Sequence, residues 1–241
     1  MPLLEIAAAS IASALAAQEG GADRIELCAN LREGGTTPSY GTLVEARKHL
    51  RIPIHVLIRP RGGDFLYDDV EAETMLRDIE ACARAGADGV VIGALDADAD
   101  IDIALCRRMI AAAGGLDVTF HRAFDAARER TAALETIVEL GCRRVLTSGA
   151  ASSAPQGADV LAQLVRQAAG RIAIMAGGGV NADNVRELVA RSGVSECHAS
   201  AGAERRSRMH QRRTDLPGLE PDFVQTDVAR VRALAAALRP G

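Results

Sequence analysis

The sequence predicts an α/β protein: a single (β/α)8 barrel with a C-terminal rim loop and a closing helix. Three observations predict it. Eight short β-rich runs alternate with helix-length amphipathic runs, the pattern of parallel strands joined by crossover helices. A glycine turn recurs between helix and strand in GGADRIEL, AGADGVVI and LGCRRVLT, where glycine suits the left-handed residue that ends a helix. A length of 241 residues accommodates eight such units in one domain. An open doubly wound sheet is the alternative closure, but no G-x-G-x-x-G follows the first strand.

The strands, in order, are LLEIA (3–7), RIELC (24–28), PIHVLIRP (53–60), GVVIGAL (89–95), DVTFHRAF (117–124), RRVLTSG (143–149), RIAIMAGG (171–178) and ECHAS (196–200). Helical runs lie between them near 10–20, 39–50, 69–85, 100–113, 128–140, 157–169 and 183–192. Ser39 is placed to cap the second helix. The apolar repeat VARVRALAAALR (228–239) forms most of a closing helix predicted over 224–239. No linker interrupts the chain, so 1–241 is predicted as one domain with its barrel core at 3–200. The polar stretch 201–222 is predicted as an irregular loop over one rim.

Composition narrows the function classes. Hydrophobic residues make up 48% and charged residues 25%, enough for a sizeable core. Aromatic content is 2% with no Trp, so a base-stacking platform is excluded. A formal charge of −4 argues against a phosphate-backbone footprint, and no nucleic-acid partner is expected. No run of about 18 apolar residues occurs, so no membrane span is expected. The N-terminus lacks the basic region of a signal peptide, and a cytoplasmic location is expected. Five widely spaced cysteines without a CxxC suggest reduced thiols. The single lysine, Lys48, sits on a helical face. This excludes a Schiff-base aldolase or a pyridoxal phosphate enzyme, both of which need a lysine amine in the site. Without a dinucleotide fingerprint, no NAD is expected either.

In a barrel of this kind, function sits at the carboxyl ends of the strands. Glu5, Glu26 and Cys28 fall there on the first two strands, and Arg59, Arg61 and Asp64 at and beyond the third. His121, Arg122 and Asp125 close the fifth, Thr147 and Ser148 the sixth, Gly177, Gly178 and Gly179 the seventh, and His198 and Ser200 the eighth. Period-two alternation puts Glu26 on one face with Cys28, and His198 on one face with Glu196 and Ser200. An apolar interior has no reason to collect such groups, because buried charge costs several kcal/mol unless paired. One reading is chemical. Glu26 is the base and His121 or His198 the acid, with Arg59, Arg61, Asp64, Ser148, Gly178 and Gly179 holding a small phosphate or carboxylate. The run MAGGGVNADNV supports it, with glycine amides at the mouth and Asn181 or Asp183 capping the next helix. The other reading is architectural: Glu26 and Arg59 form a plugging ion pair and the histidines are satisfied core groups. Cys28 is the candidate metal ligand, but no cluster of thiolates or thioethers accompanies it. Cys197 is out of phase with His198 and should face the helices.

Seven motifs run in order through residues 3–200: RIELC with GGTTPSYG, VLIRPRGGDFLY, GVVIGAL, TFHRAFD, RVLTSG, IMAGGGVNADNV and ECHAS. Together they resemble the CutC family of copper-homeostasis proteins, and SRMH is similar to that family's post-barrel loop. The resemblance implies a TIM-like barrel, a cytoplasmic location and an association with copper homeostasis, with copper as a candidate ligand. Two departures fall on rim loops. Ala150 and Ala151 follow TSG where the family continues with glycine, and the stretch 204–213 is rich in arginine. Three functions follow. The chain handles copper through Cys28 with His121 or His198. It is a lysine-independent acid/base enzyme on a small anionic metabolite. Or it is a non-catalytic binding protein, with a homo-oligomer left open.

Overall fold

A computed structural model describes residues 1–239; residues 240–241, the end of the predicted domain, lie outside the described residues. The eight predicted strands close into one parallel barrel. They are β1 (Leu3–Ala8), β2 (Arg24–Leu27), β3 (Ile54–Leu57), β4 (Gly89–Ile92), β5 (Asp117–Phe120), β6 (Arg144–Thr147), β7 (Ala173–Gly177) and β8 (Glu196–Ala199). β1 closes the ring on β8, with Glu5 opposite His198. The helices are α1 (Ile11–Glu19), α2 (Tyr40–His49), α3 (Asp69–Arg84), α4 (Ile103–Ala113), α5 (Ala123–Ala126), α6 (Arg130–Glu139), α7 (Ala158–Ala168), α8 (Val185–Ser192) and α9 (Val228–Leu238). Only the single turn α5 was not predicted.

Alternation along each strand sorts the core into two compartments. Outward-facing side chains such as Leu4, Ile6, Ile25, Ile54, Val56 and Phe120 are buried against the helices and form the main core. Each such side chain contributes roughly 1.5–3 kcal/mol of burial. Inward-facing Ala7, Cys28, Leu57 and Val91 form a small separate cluster inside the barrel. Glycines on and just beyond β4 make room for two inward histidines. A Cβ at Gly89 would lie 2.7 Å from the His55 ring, and one at Gly93 would lie 2.5 Å from the His121 ring.

Side-chain caps start several helices. Ser39 Oγ accepts from Thr42 N at 3.2 Å, as predicted. Asp68 and Glu71 form a reciprocal capping box at the start of α3. At α8 the prediction of Asn181 or Asp183 is corrected: the N-cap is Asn184. Asn181 and Asp183 are spent in the preceding turn, where Asp183 N donates to Asn181 Oδ1 at 3.0 Å.

The stretch 201–222 also needs correction. β9 (Gly202–Arg205) pairs antiparallel with β10 (Phe223–Thr226), so the closing helix begins at Val228 and not at 224. The hairpin is pinned to the barrel at Thr226. Its N–H donates to Ser13 Oγ at 3.2 Å, and its hydroxyl donates to the Ser200 carbonyl at 3.2 Å.

Candidate active site

A chain of alternating charges fills the barrel interior. Glu5, with no exposed surface, accepts from Arg24. Arg24 also donates to Glu196 at 2.5 Å. Glu196 accepts from Arg144 at 3.1 Å, and Arg144 reaches Asp117 at 3.3 Å and Thr119 Oγ1 at 3.1 Å. Glu5 is therefore a mid-barrel residue, not the end of its strand as predicted. Burial works against its charge, but the His198 hydrogen bond and Arg24 hold its carboxyl well below the usual range. Burial pushes the neighbouring His55 down to about 4, so its ring stays neutral.

Above this chain opens a cavity of about 600 Å³ at the carboxyl ends of the strands. That volume lies within the range of small-molecule sites. Glu26, Arg59, His121, Arg122, His198, Gly178 and Gly179 all line it. On its floor His198 Nδ1 bonds Glu5 Oε1 at 2.8 Å, which leaves Nε2 facing Glu26 at 3.9 Å. Burial, reinforced by the Glu5 charge, pushes Glu26 up to about 7. Burial opposes protonation of His198, but the charge of Glu26 and the bond to Glu5 raise it above its ordinary value.

The Glu26–Arg59 ion pair does not form. Arg59 Nη1 donates to the carbonyls of Glu33 (2.8 Å) and Gly35 (2.9 Å), and Nη2 to that of Gly63 (2.7 Å). Among the described residues no carboxylate pairs with this buried cation. Arg61 and Asp64 lie outside the cavity. The backbone turns at Gly62 and Gly63, and Arg61 is drawn to Glu71 on α3 at 2.6 Å and to Asp64 at 2.9 Å. Ser148 is buried behind the wall and does not line the cavity. Its hydroxyl accepts from Arg122 Nη2 at 3.0 Å. Asp125 takes up the amides of Ser148 and Ala150 and the Thr147 hydroxyl, so the loop after β6 offers those donors to Asp125 and not to a ligand. Arg122, which the sequence places on the rim without a role, lines the cavity, and Arg24, Arg144 and Glu196 form an interior set that the sequence reading does not group. Their signal is present in the sequence, since Arg24 shares the face of Glu26, and Arg144 shares the face of the inward Leu146.

The family resemblance brings copper into question, and the donor chemistry decides the fit. Cys28 sits in the interior cluster, and burial, then the Glu26 charge, pushes its thiol far above the ordinary range. Burial raises Cys82, Cys106, Cys142 and Cys197 to about 12. Cys197 faces the helices, as alternation predicts. Among the described residues the one trio of ligand-type side chains is Glu5, Glu26 and His198, with donor atoms within 4.8 Å of one another. Two carboxylates and an imidazole lack the soft sulfur that copper(I) selects, and Glu5 is already engaged by Arg24 and His198. These residues do not fit a copper(I) site.

Fold and site together define a class: a (β/α)8 barrel whose mouth holds a ligand-sized pocket over a buried carboxylate–imidazole pair. Within that class the chain belongs to the CutC family, whose model matches residues 2–203. The CutC family protein of Xylella fastidiosa strain Temecula1 is 54% identical over 241 residues, covering 99% of this chain and 89% of that protein. That of Chromobacterium violaceum is 52% identical over 242 residues, covering 98% of each. A crystal structure from Streptococcus agalactiae, of a CutC protein named for copper homeostasis, superposes with a TM-score of 0.80 at 35% identity. It covers 83% of this chain and 99% of that one. No helix among the described residues is long and apolar enough to cross a membrane.

Proposed function

We propose that the barrel mouth is an acid/base centre acting on a small anionic metabolite. The observation that carries this is Glu26, buried on the cavity floor, raised to about 7 and facing His198. A carboxyl that titrates near neutrality is matched to giving and taking protons there. Glu26 exchanges the proton with the ligand. His198, oriented by Glu5, sets and relays its charge state, in the way a carboxylate orients an imidazole in other acid/base sites. Arg122 beside Gly178 contacts the phosphate or carboxylate, and the Arg59 cation, anchored by carbonyls, adds attraction at longer range.

The copper-homeostasis name of the Streptococcus agalactiae relative is carried over as the physiological setting, in the cytoplasm, without a thiolate copper site. The test is a thermal-shift screen against phosphorylated and carboxylate metabolites. At least one anion class should stabilise the protein, by about 2.7 kcal/mol at a hundredfold excess over Kd, and Arg59→Lys should weaken the effect. A screen without a single stabilising anion overturns the proposal. Tight stoichiometric copper(I) binding that Cys28→Ser abolishes would restore direct copper handling.

A further inference from the structure

Two buried donors in the cavity wall have no acceptor: Nε2 of His121 and Nε of Arg59. The residues are only 4% and 5% exposed, and buried polar groups are as a rule paired. Nδ1 of His121 accepts the Ala123 amide at 3.1 Å, which places the ring proton on Nε2. Burial, joined by the Arg59 charge, pushes this ring down to about 3, so it remains a neutral donor. The guanidinium of Arg59 is immobilised by the three carbonyls on its other nitrogens, and its Nε–H is left over. Both groups flank one aromatic ring: the Phe65 centroid lies 5.0 Å from Arg59 Cζ and 5.1 Å from the His121 centroid.

We infer that this corner receives the carbonyl oxygen of the ligand, so the substrate class is a small anionic oxo compound. The inference rests on the anion reading above and adds a second functional group to it. Both groups only donate in this state, so their partner is an acceptor; with the anionic end of the ligand taken up across the cavity, that acceptor is a neutral carbonyl oxygen. The anionic end of the ligand lies at Arg122 and the loop of Gly178 and Gly179, which line the same cavity. Half-buried Phe65, beyond the turn at Gly62 and Gly63, packs beside both groups. His121 is therefore a neutral hydrogen-bond donor to the substrate, not the proton-donating acid expected from the sequence.

The experiment compares two probes that share one anion and differ by one oxygen, 2-oxopropylphosphonate and propylphosphonate, by calorimetric titration. The wild-type protein should bind the oxo probe roughly fivefold to tenfold more tightly, the size of one net hydrogen bond. His121→Leu should erase that advantage, so that the two probes bind with equal affinity. Should that variant fail to fold, nitrogen-15 spectra of the histidine-labelled wild type give the same answer. The His121 Nε2–H resonance should move with the oxo probe and stay with the alkyl one. Equal affinities in the wild type, or an unmoved resonance, overturn the carbonyl inference while leaving the anion site standing. If neither phosphonate binds, this inference falls as well, while the thermal-shift screen decides the anion reading separately.

Discussion

Replacing Glu26 by glutamine tests the buried acid/base pair through stability alone. The residue is 5% exposed, and burial raises its carboxyl from 4.5 to about 7. A rise of that size corresponds to roughly 3 kcal/mol. In the unfolded chain the carboxyl gives up its proton near the ordinary value, whereas in the folded chain it keeps the proton until about 7. Between those values the folded state binds more protons, so stability falls as pH climbs, and the loss is complete above the raised value. Glutamine keeps the shape and never ionises. Glu26→Gln should therefore match the wild type near the ordinary carboxylate value and exceed it by roughly 3 kcal/mol at about pH 8. Urea midpoints for both proteins at the two pH values, with equal slopes, supply the comparison. A difference that does not change with pH, or a glutamine variant that is the less stable of the two at the higher pH, refutes the reasoning.

Glu196→Gln removes the carboxylate shared by Arg24 and Arg144. It leaves two buried guanidiniums short of a partner and should cost about 3–5 kcal/mol in urea unfolding. Ala150 has a φ of +54° in the loop after β6, a left-handed geometry that glycine adopts without penalty. Ala150→Gly should stabilise the fold by up to about 1 kcal/mol, seen as a higher melting temperature. Gly93→Ala would drive a methyl to 2.5 Å from the His121 ring. It should destabilise the protein by about 1–3 kcal/mol and displace that ring in a crystal structure. All five thiols are buried and raised by burial, so a chromogenic disulfide reagent should label none of them in the native protein and all of them in urea.

Period-two reasoning holds along a strand and decays beyond its end, and this divides what was legible from what was not. Glu26 and His198 lie within β2 and β8, and His121 one residue past β5, and all three reach the cavity as alternation requires. Arg61 shares the phase of Arg59 on paper but lies four residues beyond β3, where the chain has left the pleat and an acidic helix start draws the side chain away. Strand and helix positions were recovered to within a few residues because glycine turns and caps punctuate them. The β9–β10 hairpin was not, because GAER and FVQT carry no alternating apolar face and a long polar stretch separates them. The partners of Arg59 were invisible for a different reason. They are backbone carbonyls, and carbonyls carry no signature in a sequence.

The interior sequence Glu5, Arg24, Glu196, Arg144, Asp117 joins five strands through one uninterrupted run of opposite charges. Each member satisfies two neighbours or terminates the run, so changing one of the four buried members leaves an unmatched charge in a space largely closed to water; Asp117 stands at the open end. Drift through these positions is thus barred one residue at a time and open only to coordinated replacement. Among relatives the five should vary as a block, or not at all, even though they stand as far apart in the chain as residues 5 and 196.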